Sequence, residues 1–205
     1  MVKVKICGIR RFEDIEYVNV LKPDYVGFIF AKSKRRISID FAKQLINSLN
    51  KDIKTVGVFV DENIQRVKQA AEFLNLDVVQ LHGAESKEYI QSLKDEKAKN
   101  IAVWKALGIK HDEDIKRIKL YSNEDALVLD NTSGGTGQCF DWNIIKDLNI
   151  NTPIMLAGGL DLSNLKEAIE KTSPYGVDVS SGVETDNYKD FDKIKKFILK
   201  VRELT

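Results

Sequence analysis

Two side chains in this 205-residue sequence are of types that could move protons on a small molecule, and several others could hold one in place. Cys7 closes an apolar stretch and precedes Gly8. A thiol there is either a small buried apolar group or, as thiolate, a reactive one. Asp130 closes the run Ala126-Leu127-Val128-Leu129 and leads toward Gly134-Gly135-Thr136-Gly137. Poor solvation would raise the pKa of its carboxyl and suit it to general acid work, whereas hydrogen bonds from its own glycine-rich loop would lower it. Gly158-Gly159 and Ser180-Ser181-Gly182 let backbone N–H groups approach an anion closely. Either pair alone reads equally well as a tight turn, but together they favour a phosphorylated ligand. In Ser33-Lys34-Arg35-Arg36 a guanidinium fork could grip a substrate carboxylate, or the run could be solvated loop charge. His82 is open between a structural and a catalytic role, Lys105 sits within an apolar run, and Trp104 and Trp142 read as core or rim.

These groups need elements to aim them. The apolar pattern alternates between short β-branched runs and longer amphipathic stretches, which is the mark of a parallel α/β fold. Strands are predicted at 2–7, 25–30, 55–60, 78–81, 102–106, 126–129, 154–157 and 176–179. Helices are predicted at 11–21, 39–49, 64–74, 86–93, 113–119, 142–148, 162–171 and 191–201, with Asp61, Asp141 and Asp161 as N-caps. Eight such units in this length fit a single (β/α)8 TIM barrel of the α/β class, and an open doubly wound sheet would carry fewer strands. In such a barrel chemistry gathers at the C-terminal ends of the strands, where Cys7, His82, Asp130, Gly158, Asp178 and Ser181 all fall.

Composition excludes other classes. With 43% hydrophobic residues the chain can bury one core, read as one domain over 1–205. Lys and Arg total 32 against 31 Asp and Glu, so no long-range field would gather nucleic acid or an anionic membrane. No apolar h-region or membrane-length run is seen, so a cytoplasmic protein is expected. Two cysteines and two histidines, with no zinc-like spacing, lead to the expectation of no metal. Monomer and homodimer are both open.

Seven motifs occur in order along the chain: Lys5-Ile6-Cys7-Gly8-Ile9; Gly27-Phe28-Ile29-Phe30 with Ser33-Lys34-Arg35; Val56-Gly57-Val58-Phe59-Val60; Val79-Gln80-Leu81-His82-Gly83; Gly134-Gly135-Thr136-Gly137 with Phe140-Asp141-Trp142; Leu156-Ala157-Gly158-Gly159-Leu160; and 176–184. As an ordered set they resemble the phosphoribosylanthranilate isomerase family. The resemblance implies an Amadori rearrangement of a phosphorylated small-molecule substrate without metal or organic cofactor. It places the general base on Cys7 and the general acid on Asp130, both with pKa values brought toward neutrality. It further implies that Arg35, not Arg36, takes the anthranilate carboxylate, that Gly158, Gly159, Ser181 and Gly182 hold the phosphate, and that Asp178 faces the ribose hydroxyls. Arg10 stands where the family commonly has Thr, and 185–190 lacks a glycine often found there, so loop conformation is expected to differ. The competing readings are another phosphosugar barrel, such as the histidine-pathway isomerase, and a non-catalytic phosphate-ligand binding barrel. The former would be expected to carry Asp where Cys7 stands, and the latter need not keep both Cys7 and Asp130.

Overall fold

The computed structural model describes residues 1–94, 101–131 and 139–205. Eight parallel strands close into a barrel in chain order: β1 (Lys3–Cys7), β2 (Tyr25–Ile29), β3 (Lys54–Phe59), β4 (Val78–Leu81), β5 (Ala102–Ile109), β6 (Ala126–Asn131), β7 (Ile154–Leu156) and β8 (Gly176–Val179). β8 returns to β1 with Lys5 opposite Asp178. The helices are α1 (Phe12–Leu21), α2 (Ile39–Asn47), α3 (Ile64–Leu74), α4 (Lys87–Lys94), α5 (Asp114–Leu120), α6 (Leu165–Thr172) and α7 (Phe191–Leu204). A two-stranded antiparallel hairpin, β9 (Glu184–Thr185) and β10 (Tyr188–Lys189), follows β8. Among the described residues no helix is long and apolar enough to cross a membrane.

Strand alternation sorts the side chains into two cores. Val4, Ile6, Val26, Phe28, Val79 and Leu81 point outward and pack with helix residues such as Val18, Leu45, Leu74 and Phe197. Full burial of each such side chain is worth about 1.5–3 kcal/mol. Inside the barrel, Tyr25, Val56, Val78, Trp104, Val128 and Met155 form a second cluster, with the Tyr25 and Trp104 rings edge to face at 4.9 Å. This plug fills the lower barrel. Nearer the C-terminal ends of the strands the inward positions include Cys7, Gln80, Asp130 and Asp178, so polar groups line the mouth.

Several boundaries differ from the sequence expectation. β6 runs on through Asp130 to Asn131, and β5 extends to Ile109. The helix expected over 142–148 is only a 3-10 turn, Trp142–Ile144, continued by i→i−3 bonds such as Ile145 N to Trp142 O. Asn143 and Asp147 are weak helix formers beside β-branched Ile144 and Ile145, and Asp141 accepts from both the backbone and side-chain nitrogens of Asn143. Asp141 thus does cap its turn. Asp61 is not the N-cap of α3: Asn63 accepts from Gln65 and Arg66 there, while Asp61 takes a left-handed φ of 47° and accepts from Ala84 N. Asp161 accepts from Ser163 and Asn164 N, capping the turn that leads into α6. The hairpin was not expected from the sequence. Its turn uses Asp186 and Asn187, both at positive φ (52° and 66°), as a two-residue connection requires. Arg10 anchors it, donating to Asn187 O at 2.7 Å and to Lys34 O at 2.8 Å and lying over the Tyr188 ring.

Candidate active site

A cavity of about 320 Å³ opens at the C-terminal mouth, lined among others by Cys7, Arg35, Gln80, His82, Asp130, Gly158, Gly159, Asp178 and Ser181. Of the residues expected to form a site only Gly182 is not on its wall. It lies one position beyond Ser181 in a 3-10 turn (Ser181–Val183), where any Cβ would strike Leu160 O. The loops after β7 and β8 therefore touch. Gly158, at φ +82°, brings the other side of its loop against Asp130: a Cβ would stand 2.7 Å from Asp130 Oδ1 and from Asn131 N. Gly134-Gly135-Thr136-Gly137 lies outside the described residues.

Asp130 sits on β6, three strands around the ring from Cys7 on β1. Its Oδ1 accepts from Asn131 N at 2.7 Å, and its Oδ2 lies 3.4 Å from His82 Nε2. His82 Nδ1 in turn pairs with Gln80 Nε2 at 3.2 Å. His82 thus stands beside the carboxylate, at an inward position of the β4 end. Cys7 lies in a different field. Burial pushes its thiol above the ordinary value, Asp178 adds to the rise, and the Lys5 and Lys189 ammonium groups oppose it. The downward shift expected of a base is not present in this structure, because desolvation of the thiolate outweighs the two cations.

Arg35 is buried at the rim and grips Glu184 through two bonds, Nε to Oε1 at 2.7 Å and Nη2 to Oε2 at 2.6 Å. Lys189 donates to the same Oε1 at 2.7 Å and to Ser180 O at 3.0 Å. Arg36 lies elsewhere, on a groove beside α2 and α3. Asp178 is held by Lys5 Nζ at 2.7 Å, and its Oδ1 is buried without a hydrogen-bond partner. Lys105 does not join the mouth. It points outward from β5 to Glu85, Gly83 O and Leu81 O. Among the described residues no group of three or more His, Cys, Asp or Glu side chains is disposed to hold a metal ion.

The chain is similar to known proteins over its whole length. The family model described as N-(5'-phosphoribosyl)anthranilate (PRA) isomerase matches residues 4–200. The chain belongs to this family. The N-(5'-phosphoribosyl)anthranilate isomerase of Thermoanaerobacter pseudethanolicus is 54% identical, with 98% of each chain covered. The crystal structure of phosphoribosyl anthranilate isomerase from Thermotoga maritima superposes with a TM-score of 0.91 at 38% identity, covering 100% of both chains. A phosphoribosyl anthranilate isomerase crystallised with reduced 1-(o-carboxyphenylamino)-1-deoxyribulose 5-phosphate has a TM-score of 0.87 at 37% identity, again with 100% of both chains covered.

In this phosphoribosylanthranilate isomerase family member, sequence reasoning missed Lys5, Glu184 and Lys189, the charged groups packed around Cys7 and Arg35. Lys5 could have been found from strand parity, because it shares an inward face with Cys7. The Glu184 pair with Arg35 spans 149 positions and carries no local signal.

Proposed function

We propose that this protein converts N-(5'-phosphoribosyl)anthranilate to 1-(2-carboxyphenylamino)-1-deoxyribulose 5-phosphate, an Amadori rearrangement of tryptophan biosynthesis, in the cytoplasm and as a single catalytic domain over 1–205. The observation that carries this reading is one cavity with Cys7 and Asp130 on separate strands of its wall, Gly158, Gly159 and Ser181 at the β7–β8 side, and Arg35 at the β2 rim. All of these groups come from one chain, so they are present in a monomer and would be repeated in a homodimer.

Asp130, as general acid, protonates the furanose ring oxygen, and the ring opens to a Schiff base. Cys7, as thiolate, removes the proton from C2 of the sugar, and the enolamine that forms tautomerises to the ketone. His82 Nε2, 3.4 Å from Asp130 Oδ2, is near enough to orient that carboxyl for the first step. The phosphate sits against the backbone of Gly158, Gly159, Ser181 and Gly182, where N–H groups meet an anion without side chains in the way. Glu184 occupies the Nε–Nη2 edge of Arg35 and so leaves its other edge, Nη1 with Nη2, to grip the anthranilate carboxylate. The unpartnered Asp178 Oδ1 takes a ribose hydroxyl.

Turnover of phosphoribosylanthranilate generated in situ, followed by loss of its fluorescence, tests the reading. Wild type is expected to turn over, and Cys7→Ala and Asp130→Asn each to lose at least about a hundredfold in kcat, the scale of a lost general acid or base. An inactive wild type that still binds a phosphorylated product analogue would leave a binding barrel instead.

A further inference from the structure

Lys5 is a buried cation that the fold sets beneath Cys7. The two residues are alternate positions on β1 and share its inward face, so Lys5 lies one layer deeper in the barrel. Register places Asp178 of β8 beside Lys5, with Lys5 fully buried and Asp178 reaching the cavity wall, at side-chain exposures of 0% and 8%. On the other flank, Gly27 of β2 has no room for a side chain: a Cβ there would stand 2.8 Å from Cys7 Sγ and 3.2 Å from Lys5 Cε. Thiol and lysine stem therefore pack together over the same patch of backbone.

We propose that Lys5 is a positioning residue for proton abstraction, its ammonium serving as the fixed countercharge of the Cys7 thiolate, with Asp178 setting how much of that charge reaches sulfur. The inference rests on the reading of Cys7 as the base. A thiolate shielded from water needs a cation already in place, because solvent cannot supply one. Three cations face Cys7: Lys5 from its own strand, Lys189 from β10, and Arg35 from the segment after β2. Asp178 is the facing carboxylate, while Asp130 and His82 stand further around the wall. Lys189 and Arg35 already share the carboxylate of Glu184. Lys5 donates to one oxygen of Asp178, at 2.7 Å, and also interacts with the Cys7 sulfur. A ribose hydroxyl donated to Asp178 would draw on that carboxylate and leave more of the ammonium's field to the thiol. The C2 proton moves to Cys7 Sγ, and Lys5 remains an ammonium throughout.

The test is the pH dependence of Cys7 alkylation by iodoacetamide in the full chain carrying Cys139→Ser, which leaves one thiol to report. Lys5→Met is expected to raise the midpoint by roughly one pH unit or more, slowing alkylation near neutrality about tenfold. The acidic limb of kcat/KM should move by the same amount. Asp178→Asn should shift the alkylation midpoint the other way. An unmoved or lowered midpoint in a folded Lys5→Met protein overturns the proposal, and so does a raised one in Asp178→Asn. If Lys5→Met fails to fold, the uncharged polar variant Lys5→Gln takes its place, with the same raised midpoint expected and an unmoved or lowered one overturning the proposal. Undiminished turnover by Cys7→Ala would overturn the base reading and the role of Lys5 with it. Loss of turnover in Cys7→Ala with unmoved alkylation midpoints would overturn the role of Lys5 only.

Discussion

Lys5 and Lys105 are both buried lysines on barrel strands, each paired with a carboxylate at close range, yet one faces the barrel interior and the other the helix layer. Lys105 donates to Glu85 Oε2 at 2.9 Å, to Gly83 O at 2.6 Å and to Leu81 O at 3.4 Å. Glu85 also accepts from Asp61 N and Gly83 N, so this pair is saturated and ties the loops after β3 and β4 to β5. The Lys5–Asp178 pair is joined by a single bond and keeps one carboxylate oxygen unpartnered. Among the described residues, the buried side-chain atoms without a partner are Gln80 Oε1, Trp142 Nε1 and Asp178 Oδ1, and Gln80 and Asp178 line the cavity. A saturated buried pair is architecture. An unsaturated one that opens on a cavity holds hydrogen-bonding capacity for something else.

The largest effect that would break this contrast is on stability. Lys105→Met leaves Glu85 without its counter-ion inside the fold and is expected to cost about 3–5 kcal/mol, the scale of a halved buried ion pair. Urea denaturation would show it, and kcat of the folded fraction should hold, because Lys105 does not reach the cavity. A variant as stable as wild type, but slow, would mean that the outward lysine and not the inward one serves the reaction.

The two lysines also show what sequence patterning can reach. Period alternation located all eight strands to within about three residues at each end, because strands buried on both sides read as apolar runs. For the same reason it does not say which parity faces inward, so the facing of Lys105 is not readable from the sequence. Cys7 and Asp130 were legible because each closes an apolar run, and at a strand end the depth in the barrel is known even where the facing is not. The helix expected over 142–148 failed where apolar spacing outvoted the local competition of Asp and Asn with the backbone. Glu184 and Lys189 were out of reach. Their positions depend on the Asp186-Asn187 turn and on Arg35 arriving from a distant part of the chain.

Arg35 sharpens the comparison on the mouth side, because its pair with Glu184 is saturated on one edge and open on the other. Glu184→Gln should free the guanidinium from its fixed angle and raise KM roughly tenfold, the order of a lost charge-assisted hydrogen-bond pair, with a smaller change in kcat. Steady-state kinetics separates the two parameters. An equal fall in kcat at constant KM would instead place Glu184 in the proton-transfer steps.

The smallest effect is one of pH. Burial alone would push the Glu184 carboxyl up, but hydrogen bonds and charge from Arg35 and Lys189 hold it below the ordinary glutamate range. A carboxyl whose folded pKa is depressed binds protons more weakly than in the unfolded chain. Its stabilisation is therefore present above the unfolded value, about 4.3, and is lost as pH falls through the lower folded one. The Tm difference between wild type and Glu184→Gln should be level near neutrality and shrink only below about pH 4.3. Cys7 runs in the opposite sense. Its thiol is raised by burial, so its contribution is present below the unfolded thiol value and is lost as pH rises through the folded one. The inner mouth should then weaken in alkali and the Arg35–Glu184 rim in acid, and Tm profiles of Cys7→Ala beside Glu184→Gln would show the two slopes at opposite ends of the pH scale. A Glu184→Gln difference that persisted unchanged into acid would mean that packing, and not charge, holds the rim together.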